Sequence, residues 1–313
     1  SDRRPCMPVT IPQDLPAAEV LKQENIFFMT KERAIHQDIR PLQIALLNLM
    51  PNKIRTEEQF LRLLGNTALQ VELTFLTTAT YQSKHTPISY LQTFYQTFEQ
   101  VRGSHFDALI ITGSPVETLA FEEVAYWKEL TEILAWADEH VYSSFFVCWA
   151  AQAALYHHYG IEKHLLPKKL SGVYSHTVKQ KGHPLVRGFD DFFWAPHSRN
   201  TAVDETKLSS VQDLIVLSDS EEAGLYLAAS KDGRKVFVTG HSEYDELTLH
   251  DEYQRDLAAA LNPEKPLNYY QGDEVTVRWR GHAHLLFSNW LNYHVYQSTP
   301  YQLDQISKVL QHS

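Results

Sequence analysis

The chain has 313 residues, 43% hydrophobic and 21% charged, a globular balance that excludes disorder, collagen-like repeats and a disulfide scaffold. With 28 basic and 38 acidic side chains it carries a formal charge of −10, which argues against wrapping nucleic acid or docking on anionic membranes. No apolar run reaches the roughly 18 residues that span a bilayer, the opening residues are not expected to be a signal peptide, and its two cysteines, Cys6 and Cys148, suit a reducing cytoplasm better than a disulfide.

Residues 1–41 read as an N-terminal arm, broken by prolines at 5, 8, 12 and 16. From residue 42 strands and helices alternate. The near-continuous apolar run 42–49 predicts a strand covered on both faces. Thr56 is expected to cap a helix over 57–64 that Gly65 ends. A strand over 70–76 follows, then an amphipathic helix over 89–101. A strand over 108–112 stops at Gly113-Ser114-Pro115, before a helix over 124–136. A strand over 144–147 and a helix over 150–159 complete the alternation. This spacing argues for a doubly wound, mostly parallel α/β sheet with right-handed crossovers. Short strands are expected at 214–217, 224–228 and 235–239, and helices over 245–261 and 282–296. The simplest organisation is one α/β domain over 42–303 with a C-terminal helical elaboration and a tail at 304–313.

Cys148 lies between a strand and a helix. In a doubly wound sheet that turn sits at the carboxyl edge, where ligands bind. The free amides and dipole of the following helix favour a thiolate there, and Ala150 and Ala151 allow a sharp turn. This is a nucleophile elbow with cysteine for serine. Another strand runs into Gly240-His241-Ser242-Glu243-Tyr244. In extended chain residues i and i+2 face one side, so Glu243 is expected to hold one imidazole nitrogen while the other serves a thiol. Backbone amides at Gly113 and Ser114 could meet a developing oxyanion, with Trp149 beside the nucleophile as further support. Lys53, after the first strand, could steady negative charge at the same edge. No metal site is expected: there is no Cys-x-x-Cys, and the pairs His157-His158 and His282-x-His284 suit packing.

Stretches such as IRPLQIALLNLMPNKIRTEEQFLRLL, ITGSPVETLAFEEVAYW, FVCWAAQAALYHHYGI, FDDFFWAPHSR and VTGHSEYD resemble the homoserine O-acyltransferases of the MetA type, from about Pro8 to Leu303. The resemblance implies a flavodoxin-like sheet shared with class I glutamine amidotransferases. It also implies Cys148 as the acylated nucleophile, His241 as general base and Glu243 as its orienting acid. Lys169, Ser198 and Arg255 match the family's acceptor-binding positions, and arginine suits a bidentate carboxylate. Glu117 matches a position where glutamate accompanies acetyl-CoA and glycine succinyl-CoA. Two departures stand out: Ser242 replaces the usual proline of H-P-E-Y, and Ser175 replaces the glutamate of G-V-Y-E-H.

The expected reaction is acetyl transfer from acetyl-CoA, through a Cys148 thioester, to the hydroxyl of homoserine, as in methionine biosynthesis. Serine as acceptor (cysteine biosynthesis), succinyl-CoA as donor and a glutaminase-like hydrolase are the alternatives. Acetyl-CoA is a co-substrate and no cofactor is permanently bound. Partners are small molecules, with neither nucleic acid nor membrane, and a homodimer is possible. Lys168, Lys169, Lys179, Lys181 and Arg187 offer a basic patch for the donor's phosphates.

Overall fold

The apolar run that follows Arg40 forms strand β1 (Leu42–Leu47), whose last four residues are buried. The computed structural model describes residues 40–80, 84–298 and 303–306, with short pieces at 10–11, 15, 17–23 and 29–30. The expected arm and tail therefore lie mostly outside the described residues. Around β1 a ten-stranded sheet assembles from β2 (Val71–Thr77), β3 (Tyr95–Thr97), β4 (Phe106–Ile111), β5 (Val141–Val147), β6 (Lys163–Val178), β7 (Phe192–Val203), β8 (Leu214–Ser220), β9 (Gly224–Ser230) and β10 (Lys235–Val238). Its order is β3-β2-β1-β4-β5-β10-β9-β8-β6-β7.

The sheet has two halves. From β3 to β10 every neighbouring pair is parallel, and from β10 to β7 every pair is antiparallel. In the parallel half β1, β4 and β5 are almost wholly buried, as strands covered by helices on both faces must be. Helix α1 (Lys53–Leu64) and helix α5 (Arg280–Asn289) cover one face; α2 (Trp127–His140) and α3 (Trp149–Tyr159) cover the other. Helix α4 (Thr248–Ala258) follows β10. The chain builds from β1 outward to β3, then crosses back to β4, so the order reverses between β1 and β4. A ligand crevice is expected at the carboxyl ends of the strands beside such a reversal.

Several elements differ from the sequence expectation. Helix α1 starts at Lys53 because the Asn52 side chain accepts from the Arg55 amide; Thr56 lies inside it. The amphipathic stretch 89–101 is not one helix. A helix over Ile88–Phe94 gives way to β3, which adds to β2 through Phe75↔Tyr95, before a short helix, Phe98–Val101. Unpaired edge groups of β2 recruit that extended segment. The two longest strands, β6 and β7, had no counterpart in the sequence reading. Their alternation is interrupted by Pro167 and by a bulge where β6 advances from Leu165 to Leu170 while β7 moves only from Thr201 to Arg199. Helix α5 ends at Asn289 and continues as a wider π turn, Trp290–Tyr296.

Candidate active site

Cys148 is the first residue after β5 and caps α3. Its backbone, at φ 50° and ψ −110°, lies in the left-handed half of the map, which costs a residue with a Cβ about 1–3 kcal/mol. The surroundings hold it there: its amide donates to Val238 O at 2.7 Å and its carbonyl accepts from the Gln152 amide at 3.1 Å. Ala150 and Ala151, fully buried beneath the turn, leave room for it. The strain places the thiol between the sheet edge and the first turn of α3.

His241 enters from the end of β10, the strand paired in parallel with β5. Its Nδ1 meets Glu243 Oε1 at 2.6 Å, which leaves Nε2 for the hydrogen bond to the Cys148 side chain. Burial alone would favour neutral imidazole, but the sulfur and the Glu243 carboxylate together push the His241 pKa well above its ordinary value. Glu243 is itself buried, and its second oxygen, Oε2, has no hydrogen-bond partner. The Tyr244 ring stacks on the imidazole, with centroids 4.2 Å apart and planes 15° apart. The His241 amide donates to Pro196 O of β7 at 2.8 Å. That approach requires Gly240, because a Cβ there would fall 2.7 Å from the same carbonyl and 2.9 Å from the Tyr226 ring. Ser242, at the position of the family's proline, is buried, and its side chain hydrogen-bonds Tyr226.

Gly113 faces the pair. A Cβ on it would stand 3.4 Å from His241 Cε1 and 3.5 Å from Cys148 Cβ, so its backbone borders the Cys148–His241 pair. The Ser114 side chain contacts Tyr126, Oγ to OH at 2.5 Å. Trp149 is buried at the first position of α3, where an amide has no intrahelical acceptor. Lys53 lies at the same edge, but its ammonium donates to Asn48 O (2.6 Å) and Met50 O (3.1 Å). Burial lowers its pKa to about 8. It braces the turn between β1 and α1.

Glu117 is pinned. Its Oε1 accepts from the Asn200 amide (2.7 Å) and Asn200 Nδ2 (2.8 Å), and its Oε2 from Thr201 Oγ1 (3.0 Å). Thr201 Oγ1 in turn accepts from Gln152 Nε2 at 3.0 Å, one turn beyond Cys148. The carboxylate thus joins the loop after β4, strand β7 and helix α3.

The expected acceptor residues form two groups along α4. Lys169 Nζ and Arg255 both hold Asp256, at 3.0 Å each. Burial favours a neutral Asp256, but these two cations keep its pKa below the ordinary value. Ser198 Oγ donates to Glu252 Oε2 at 2.7 Å, and Glu252 Oε1 accepts from Tyr244 OH at 2.6 Å. Residues 252 and 256 are one helical turn apart and share a face. Glu252 was missed by sequence reading, although its position three residues before Arg255 on an amphipathic helix was a usable signal. Ser175 is exposed on β6 while Tyr174 and His176 are buried, so the residue that departs from G-V-Y-E-H points away from this region.

Beneath the site His176 and His197 share a hydrogen bond, Nε2 to Nε2 at 2.8 Å, with rings fully buried. Burial drives both pKa values down, His176 to about 4. The expected basic patch is divided. Lys179 pairs with Asp219 and Lys181 with Asp191 past the end of β6, roughly 30 Å of strand away from Lys168 and Lys169.

A family model described as homoserine O-succinyltransferase matches residues 8–301. The chain belongs to that family. Among curated relatives, the homoserine O-acetyltransferase of Petrotoga mobilis is 54% identical over 97% of this chain and 100% of its own. Those of Acetivibrio thermocellus and Thermotoga petrophila are 56% and 57% identical, each over 96% of this chain and 100% of theirs. A glutamine amidotransferase from Thermotoga maritima superposes with a TM-score of 0.54 at 11% identity, over 82% of this chain and 100% of its own. One from Methylobacillus flagellatus gives 0.52 at 10%, over 85% and 99%. At such identities the likeness is one of fold: the mostly parallel α/β sheet. Among the described residues no helix is long and apolar enough to cross a membrane.

Proposed function

We propose that this chain is a homoserine O-acetyltransferase that works through an acetyl-Cys148 thioester. The observation that carries the reading is the strained Cys148 joined to a His241 that Glu243 holds, in a chain 54–57% identical to enzymes of that name. The Cys148 sulfur attacks the thioester carbonyl of acetyl-CoA. Amides at Gly113 and Trp149 receive the developing oxyanion. Coenzyme A leaves as its thiol, taking a proton from the His241 imidazolium. The acceptor hydroxyl then gives its proton to His241 Nε2 and attacks the acyl carbon, and the Cys148 thiolate departs.

Acceptor choice falls to the antiparallel half. Arg255 and Lys169 can exchange Asp256 for the acceptor carboxylate, and the Glu252 carboxylate beside Ser198 suits its ammonium. Glu117 favours acetyl over succinyl, because its fixed negative charge repels a second carboxylate and fills that space. Incubation with acetyl-CoA alone, followed by intact mass, should show one added acetyl group that homoserine then discharges. Absence of the adduct, or discharge by serine in preference to homoserine, would overturn the reading.

A further inference from the structure

A cavity of about 770 Å³ opens where the bulge of β6 meets the loop after α4. Its inner wall holds Asn200, which binds Glu117, and Ser171, the cross-strand partner of Ser198. Lys169 and Arg255 also line it. It is the size that holds a drug-sized ligand and has several times the bulk of a four-carbon amino acid. We propose that the outer part of this cavity, at Lys168 and Lys265, receives the phosphates of the acyl donor's nucleotide. This inference rests on the donor's being a coenzyme A thioester.

Three features support it. The first is the bulge itself: five steps along β6 against two along β7 push out a short arch that carries Lys168 and Lys169 to the rim. The second is the facing loop. Among the described residues four other than glycine have positive φ; one is Cys148, and the others are Ala260, Asn262 and Asn268. Apart from the nucleophile, such backbone is confined to this one loop. It is clamped to β6 by Val173 N to Leu267 O (2.8 Å) and Leu267 N to Ser171 O (3.1 Å). Gly172 permits the clamp, since a Cβ there would lie 2.5 Å from Leu267 N. The rim is therefore a built wall.

The third feature is charge. In a chain of net −10, the cavity wall carries four cations against three carboxylates. Lys168 is exposed and held at 3.1 Å by an equally exposed Glu264, and Lys265 Nζ lies 5.1 Å from the centre of the Tyr270 ring with no ion pair among the described residues. Both cations can turn to a phosphate at little cost. Tyr253 and the exposed Leu261 offer flat apolar surface beside them. A ping-pong enzyme loads its substrates in turn, so one cavity can take the donor's long arm and then the small acceptor.

The test compares acetyl-CoA with S-acetylpantetheine, which carries the same thioester and no phosphate. Lys168→Ala/Lys265→Ala should raise the acetyl-CoA KM at least tenfold and leave the S-acetylpantetheine KM within twofold. Glu264→Gln, which frees Lys168, should lower the acetyl-CoA KM. An equal rise for both donors, or none for acetyl-CoA, would overturn the proposal. If the wild-type protein turned over neither thioester, the functional reading would fall instead.

Discussion

The two halves of the sheet divide the work differently. The proposed triad comes entirely from the parallel half: Cys148 after β5, His241 and Glu243 after β10, with Gly113 after β4. Each sits in a short segment at a strand's carboxyl end, where geometry is dictated by residues adjacent in sequence. The proposed specificity residues lie in or against the antiparallel half. Lys169 sits at a bulge in β6, Ser198 lies in β7, and Glu117 reaches across to Asn200 and Thr201. Their placement depends on strand register and on partners 50 to 90 residues distant. The proposed reaction centre therefore rests on local strand-end geometry, and the proposed selection residues rest on long-range register.

The largest expected effects break the parallel half. Cys148→Ala should reduce acyl transfer by about 10⁴-fold or more with Tm little changed, and His241→Asn by a similar factor. Glu243→Gln should lose less, about 10²-fold, because it orients and stabilises the imidazolium without moving the proton. Initial rates with thermal melts would check the series; a Glu243→Gln variant worse than His241→Asn would reverse the roles.

Changes at the proposed selection residues should alter selection instead. Arg255→Ala should raise the acceptor KM at least tenfold and leave the acetyl-CoA KM nearly unchanged. Glu117→Gly should raise succinyl-CoA turnover relative to acetyl-CoA at least tenfold, about 1.4 kcal/mol of differential transition-state binding. It should also lower Tm, since three donors on Asn200 and Thr201 lose their acceptor. Pre-steady-state release of coenzyme A from each donor would isolate the acylation step, and an unchanged donor ratio would place selection elsewhere.

The last comparison separates the halves by pH. His176 and His197 have folded pKa values below the unfolded value of 6.5, His176 at about 4. The unfolded chain therefore binds more protons between those limits, and stability falls as pH drops from about 6.5 towards 4. For His176 alone the loss is at most about 3 kcal/mol. His241 has the opposite sign. Its raised folded pKa contributes stability that is fully present below 6.5 and lost as pH rises through the folded value. Melts across pH should show His176→Phe flattening the acid limb and His241→Asn removing its part of the loss at higher pH; the same acid slope in His176→Phe would exclude the buried pair as its source.

The α/β alternation and the nucleophile elbow were legible in the sequence because both arise locally. Buried parallel strands read as apolar runs, and the turn after β5 is encoded by Cys148 with the small residues that follow it. Strands β6 and β7 were not legible, because Pro167 and the bulge disrupt a period-2 pattern that only pairing restores. Glu252, Asn200 and the buried His176–His197 pair escaped notice for the same reason. Their contacts join α4 to β7, the loop after β4 to β7, and β6 to β7. The family and the strand-end turns that carry the proposed triad were thus written in contiguous residues, where strand ends and helix starts impose their own geometry. The proposed acceptor groups, the brace on Glu117 and the walls of the cavity were decided by tertiary structure, because long-range register chooses which side chains meet.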